Sequence, residues 1–169
     1  MSQSSVNLYK LLNKDFSKSV KFGLKRIKLA LSLLGNPERK LKNVISVIGE
    51  SGKFSTMYSL KSFIEANNQT VTMHVSPSIK DIKERFYMAN GYLSHDEIKN
   101  TVIKIKNLKI PLTIYECLTL IYIINASKIN AEYNIMETGA LWRFDANNVC
   151  DFPIIQICTN INKQHLNFL

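Results

Sequence analysis

The stretch that decides the fold reads VISVIGESGKFSTMYSL, from Val44 to Leu60. Five residues rich in β-branched side chains, Val44 to Ile48, predict a strand. They run directly into Gly49-Glu50-Ser51-Gly52-Lys53. Met57, Leu60 and Ile64 then recur at helical spacing. Strand, glycine loop and helix in that order is what phosphate binding requires. Glycines let backbone amides approach an anion, Lys53 brings a point charge, and the helix offers its positive end. The common pattern G-x-x-x-x-G-K-[ST] is not met, since Val47 stands at its first glycine and Phe54 at its serine or threonine. By pattern alone, a strand-to-helix turn with a chance Gly-Lys stays open.

Upstream, Leu24, Ile27, Leu31 and Leu34 form an apolar helical stripe that ends at Gly35-Asn36-Pro37. Downstream, Val71 to Val75 predicts a second strand, closed by Ser76-Pro77. Ser94 with Glu97 and Thr113 with Glu116 have the spacing of capping boxes that open two further helices. Tyr133 to Met136 and Ile154 to Cys158 predict two more strands. Strands alternating with helices indicate an α/β fold with a mainly parallel sheet covered on both faces. Polar clusters follow Ile48, Val75, Met136 and Cys158. At the carboxyl ends of parallel strands they are expected to converge on one site.

Composition sets the outer bounds. With 169 residues, 46% hydrophobic and 21% charged, the chain is expected to form a core of ordinary size. A net charge of +9 favours anionic partners. Helix-turn-helix, zinc and aromatic RNA-binding signatures are missing, so nucleic acid is the least favoured of them. Cys117, Cys150 and Cys158 show no Cys-x-x-Cys spacing and are expected to be reduced thiols, two of them in strongly apolar surroundings. The apolar run from Ile110 to Ala126 carries Pro111 and Glu116 and falls short of the roughly 20 residues that span a bilayer. No membrane association and a cytoplasmic location are expected.

Three further segments carry candidate chemistry. Ser76-Pro77, with Glu84-Arg85 beyond it, reads as turn chemistry or as a ligand at a strand end. METGALWRFDANNV, Met136 to Val149, places Glu137 at a strand end beside a phosphate loop, where a carboxylate can hold magnesium directly or through water or can have a purely structural role. Within it, Arg143 and Asp145 either pair with each other or order the loop. The last segment, TNINKQH, runs from Thr159 to His165.

Taken together, these segments resemble the folylpolyglutamate synthase/dihydrofolate synthase family, whose fold is that of the Mur ligases. GESGKFS is similar to the family's Gly-Thr-Asn-Gly-Lys-Gly-Ser loop, SPSI and ERF to Ser-Pro-His-Leu and Glu-Arg-Ile, and METGALWRFDANN to Leu-Glu-Val-Gly-Leu-Gly-Gly-Arg-Leu-Asp-Ala-Thr-Asn. TNINKQH is similar to Thr-Asn-Ile-Gly-x-Asp-His. The resemblance spans about Phe22 to His165. It implies a P-loop-containing, Mur-ligase-like domain over 41–169, incomplete at its carboxyl end. It further implies an amino-terminal helical segment over 1–40, and a chain expected to lack the family's carboxy-terminal glutamate-ligase domain.

The implied activity is ATP-dependent addition of glutamate to folate or dihydropteroate, within folate and one-carbon metabolism. Gly49, Ser51, Gly52, Lys53 and Ser55 would hold ATP. Ser76, Glu137 and His165 would hold Mg2+, and Pro77, Arg143 and Asp145 would lie on the folate side or order the loop. The departures are Glu50, Phe54, Ser78, Leu141, Trp142 and Gln164. Phe54 in place of glycine is expected to occupy nucleotide space or to force the loop open. These departures point to a fragment that is inactive alone or completed by a second chain. The alternative is a residual nucleotide- or folate-binding module. An incomplete sheet would leave the Cys117–Ile124 helix and the Ile154–Cys158 strand near an open edge.

Overall fold

The computed structural model describes residues 2–19, 21, 23–139, 142–151 and 153–161. Five strands form one sheet: β1 (Val44–Ile48), β2 (Val71–His74), β3 (Phe86–Met88), β4 (Tyr133–Glu137) and β5 (Ile155–Cys158). Their order is β3-β2-β4-β1-β5. All neighbours run parallel except β3, which pairs antiparallel with β2. The expected mainly parallel α/β sheet is therefore present. The addition is β3, three residues too short to show a period in sequence.

Alternation along the strands builds two cores. Ile45, Val47, Val71, Met73 and Ile135 face one side, where Met57 of α3 (Lys53–Ala66) is fully buried and Tyr58, Leu60 and Ile64 pack around it. Val44 and Met136 face the other side, towards α1 (Gln3–Asp15), α2 (Lys25–Leu33), α4 (His95–Lys106) and α5 (Ile114–Ile129). Of the predicted stripe in α2, Ile27 and Leu31 are buried, and Leu24 and Leu34 pack partly buried against the same cluster. Asn36 closes the helix in the left-handed region at φ 53°, its N–H donating to the Leu31 carbonyl.

Both capping boxes form as their spacing predicts. In α5 the Thr113 hydroxyl accepts the Glu116 N–H at 3.2 Å, and the Glu116 carboxylate accepts the Thr113 N–H at 2.7 Å. The same carboxylate pairs with Arg26 at 3.0 Å, tying α2 to the start of α5. From Glu116 to Ala126 every residue of α5 is buried. This corrects the expectation that α5 lies at an open edge: it is the central helix of its layer. Among the described residues β5 is an edge strand, with Ile155 and the preceding Ile154 about half exposed.

Under α5 the sheet face is unusually polar. The Tyr122 and Thr72 hydroxyls are bonded at 2.8 Å, Thr72 donates to Asn134 Oδ1 at 2.7 Å, and Asn134 donates to the Lys42 carbonyl at 2.6 Å. Satisfaction of each group is what makes a polar layer tolerable in a core. Of the three thiols Cys117 is buried, but Cys150 is half-buried and Cys158 exposed, so only one of the two expected buried thiols is fully enclosed. No helix among the described residues is long and apolar enough to cross a membrane.

Candidate functional site

Because β2, β4, β1 and β5 are parallel neighbours, their carboxyl ends open on one edge, and the four polar clusters meet there as expected. Gly49 follows β1 at φ 127°, where a side chain is strained. A Cβ there would collide with the Thr159 hydroxyl and lie 2.9 Å from the Asn160 carbonyl oxygen. Gly52 caps α3 in the left-handed region at φ 83°.

The end of β5 clamps this loop. The Asn160 side-chain oxygen accepts the N–H groups of Glu50 at 3.1 Å and Ser51 at 2.9 Å. The Thr159 hydroxyl donates to the Ser51 carbonyl at 2.7 Å. The loop thus holds its shape through contacts with its own chain. Phe54 does not fill it, contrary to expectation: its ring turns outward along α3, 42% exposed, and lies 4.4 Å from the Tyr58 ring. The N–H groups of Lys53, Phe54 and Ser55 open the helix and have no intrahelical acceptor, leaving a donor cluster for an anion.

Lys53 projects over the loop, donating to the Gly49 carbonyl at 2.6 Å and standing 3.8 Å from the Glu137 carboxylate. Glu137 ends β4 and is only 4% exposed. Its other oxygen accepts the Ser76 N–H at 2.6 Å. Burial pushes its carboxyl above the usual range, although the Ser76 amide and the Lys53 charge pull the other way. Ser76 is joined to the exposed Pro77 by a cis bond. Beyond them the Glu84 carboxylate accepts the N–H groups of Ile79 and Lys80, and these backbone bonds hold its pKa low. Ser78 shares a hydrogen bond of 2.7 Å with the Tyr9 hydroxyl of α1.

Behind Glu137, Asp145 orders the following loop. Its carboxylate accepts the N–H groups of Gly139 at 3.1 Å and Asn147 at 2.8 Å, and burial raises its pKa to about 6. Of the two alternatives for Arg143 and Asp145, loop ordering by Asp145 is the one formed. Arg143 is exposed, with its guanidinium over the Phe144 ring. Asn147 donates to the Tyr115 hydroxyl at 2.9 Å and to the Glu137 carbonyl. With both amide hydrogens so used, its oxygen faces His74 Nδ1 at 3.2 Å, which must carry the proton. His74 is stacked between Phe86 and Tyr122, and burial drives its pKa down to about 3.

The structure therefore brings Gly49, Ser51, Gly52, Lys53, Ser76 and Glu137 together, with Ser55 exposed one turn into α3 and Asp145 immediately behind. His165, Leu141, Gln164 and the Trp142 side chain lie outside the described residues. Sequence reasoning gave no role to His74, Tyr115, Asn147 or Asn160. His74 carried a usable signal, a titratable residue two positions after Thr72 in a short strand, on the same face as that hydroxyl.

A buried carboxylate at a strand end, with a serine beside it and a phosphate loop opposite, fits a hard divalent cation. Among the described residues no group of three or more His, Cys, Asp or Glu side chains is gathered for a metal, so Glu137 and Ser76 form part of a shell at most.

Comparison with known proteins gives the site a context. The chain is 31% identical over 161 residues to the dihydrofolate synthase/folylpolyglutamate synthase of Bacillus subtilis, covering 89% of this chain and 36% of that protein. It superposes with a TM-score of 0.89 and 27% identity on Escherichia coli FolC in complex with DHPP and ADP, over 99% of this chain and 40% of that one. A bifunctional folylpolyglutamate synthase/dihydrofolate synthase with Mn, AMPPNP and L-glutamate bound matches at TM-score 0.77 and 25% identity, over 89% of this chain and 36% of that one. The chain thus spans a little over a third of the length of these relatives. No protein-family model matches it.

Proposed function

We propose that this chain, a member of the folylpolyglutamate synthase/dihydrofolate synthase family, binds ATP with a divalent cation at the Gly49–Ser55 loop. In that reading it supplies the nucleotide side of an ATP-dependent glutamate ligase. The observation that carries the proposal is the meeting of Lys53 and Glu137, 3.8 Å apart, over the open N-terminus of α3. The ADP, AMPPNP and Mn bound by the matching structures support a nucleotide and a divalent metal as ligands of this fold.

In the proposed reaction the terminal phosphoryl group of ATP passes to the carboxylate of a folate or dihydropteroate, leaving ADP and an acyl phosphate. The amine of glutamate then attacks the acyl carbon and loses its proton. Phosphate leaves with the C–O bonding pair. Phosphoryl transfer of this kind depends on positioning and on neutralising charge. Lys53 leaves the Gly49 carbonyl for a phosphate oxygen, and the α3 amides bind the same group. Ser76 and Glu137 would hold a divalent cation, Mg2+ by family resemblance, and His165 would be the third ligand on the same ground. The cation supplies Lewis-acid charge neutralisation when bound. Asp145 and Pro77 shape the folate side, and Arg143 lies on the surface of that loop.

Calorimetric titration with magnesium-ATP tests this reading. The natural chain is expected to bind at micromolar levels and Lys53→Ala to lose the heat signal. Equal binding by the two chains, or none by either, overturns it.

Among the described residues β5 is an edge strand, with Ile155 and the preceding Ile154 about half exposed, and this favours a second reading for ligation as distinct from nucleotide binding. A second polypeptide would cover that edge and bring the glutamate site over the loop. Glutamate addition that appears only when such a chain is supplied would support it. Addition by this chain alone would exclude it.

A further inference from the structure

The geometry points to Phe54 as a base-stacking residue, giving this chain a seat for the planar ring of the nucleotide whose phosphates occupy the loop. The inference rests on the nucleotide reading above. Phe54 is the second residue of α3, directly after Lys53. Its ring has one face against Tyr58, at 4.4 Å and a tilt of 32°, and 42% of the residue remains exposed.

That orientation is fixed from below. Tyr58 packs against the α3 core, and its hydroxyl is bonded to that of Tyr92 at 3.3 Å. Tyr92 meets the Tyr87 ring edge-on at 5.6 Å. Tyr87 donates to Glu65 at 2.6 Å and carries the Lys61 ammonium 4.2 Å above its ring. Four aromatic rings therefore form a braced row that ends in Phe54, the residue directly after Lys53, with its ring partly open to solvent.

A ring held in place loses little entropy when a base stacks on it, which is the condition for a stacking platform. Being apolar, it reads no hydrogen-bonding edge, so adenine and guanine should be held alike. The departure that sequence alone predicts to obstruct the loop becomes a contact to the part of the ligand that the loop does not reach.

Titrations of magnesium-ATP and magnesium-tripolyphosphate into the natural chain and Phe54→Ala test this, with Phe54→Trp and Phe54→Leu as companions. Phe54→Ala is expected to weaken ATP by about five- to a hundredfold and leave tripolyphosphate unchanged. Phe54→Trp should restore ATP binding. Phe54→Leu, which keeps bulk without a π-face, should behave as the alanine variant. Equal weakening of both ligands would mean that the ring only shapes the loop. Unchanged or tighter ATP binding by Phe54→Ala would refute stacking outright. Tripolyphosphate binding with ATP insensitive to Phe54 sinks this inference alone. No binding of either ligand by the natural chain sinks the nucleotide reading with it.

Discussion

The side-chain oxygen of Asn160 accepts the N–H of Ser51 at 2.9 Å, tying the end of β5 to a loop 109 positions earlier in the chain. The same oxygen takes the Glu50 N–H, so one carboxamide fixes two consecutive peptide units. The glycine loop is therefore built by the sheet as much as by its own residues.

Asn160→Ala removes both acceptor contacts while leaving the strand pairing intact. Each such bond contributes about 1 kcal/mol net. A loss of about 1–2 kcal/mol in urea denaturation is expected, together with weaker magnesium-ATP binding. Asn160→Asp keeps the acceptor and should retain most of the stability.

Gly49→Ala sets a side chain against the Thr159 hydroxyl at a φ of 127°. The backbone strain alone costs about 1–3 kcal/mol, and the collision adds to it. Thr159→Gly in the same chain should recover only the part due to the hydroxyl, since the Asn160 carbonyl oxygen stays 2.9 Å from the new Cβ, and none of the strain. Full recovery, measured by chemical denaturation, would show that φ is not a constraint there.

His74 sets an acid limit. Its pKa falls from 6.5 to about 3 because burial disfavours the imidazolium, so the unfolded chain binds the proton more tightly. The stability it confers is complete above about pH 6.5 and is lost as pH falls towards 3. Over that window the loss is about 5 kcal/mol. His74→Phe keeps the stack with Phe86 and Tyr122 and should flatten the stability profile between those pH values. An unchanged slope would show that another group sets it.

Glu137→Gln separates charge from shape at the proposed metal position. The amide oxygen still accepts the Ser76 N–H, so folding should persist. Relief of a buried charge should leave the variant no less stable at pH 7. Affinity for Mn2+ in the presence of nucleotide is expected to fall at least about tenfold, since a carboxylate contributes through its charge. Undiminished Mn2+ binding would remove Glu137 from the metal site.

Glu116→Ala removes the reciprocal cap of α5 and one partner of Arg26. Losing a cap costs about 1 kcal/mol, and leaving the part-buried Arg26 guanidinium without its carboxylate, with the Lys21 carbonyl still accepting from it, adds to that. Thermal unfolding should shift down by several degrees, with nucleotide affinity retained by the folded fraction.

Much of this protein was open to reading before any coordinates. Val44 to Ile48 is a strand with the predicted bounds, and both capping boxes start their helices where the spacing places them. These features are local: β-branched runs, side chains reaching three residues along and glycines at positive φ act within a single turn or strand. The convergence of the four strand ends also followed from sequence, because parallel strands have one carboxyl edge.

What the sequence could not decide was direction and long-range partnership. Phe54 lies beside a phosphate loop in sequence, yet its ring turns away because Tyr58, one helical turn on, offers a surface to stack against. The short β3 exists only because β2 presents an edge to pair with. The largely apolar α5 is expected from sequence near an open edge, and only its packing in one cluster with α1, α2 and α4 puts it at the centre. His74, Asn147 and Asn160 acquire their roles from neighbours 73, 10 and 110 positions away. Spacing and propensity act within a few residues. Which side chain completes a distant loop is set when the sheet closes and brings those residues within hydrogen-bonding reach.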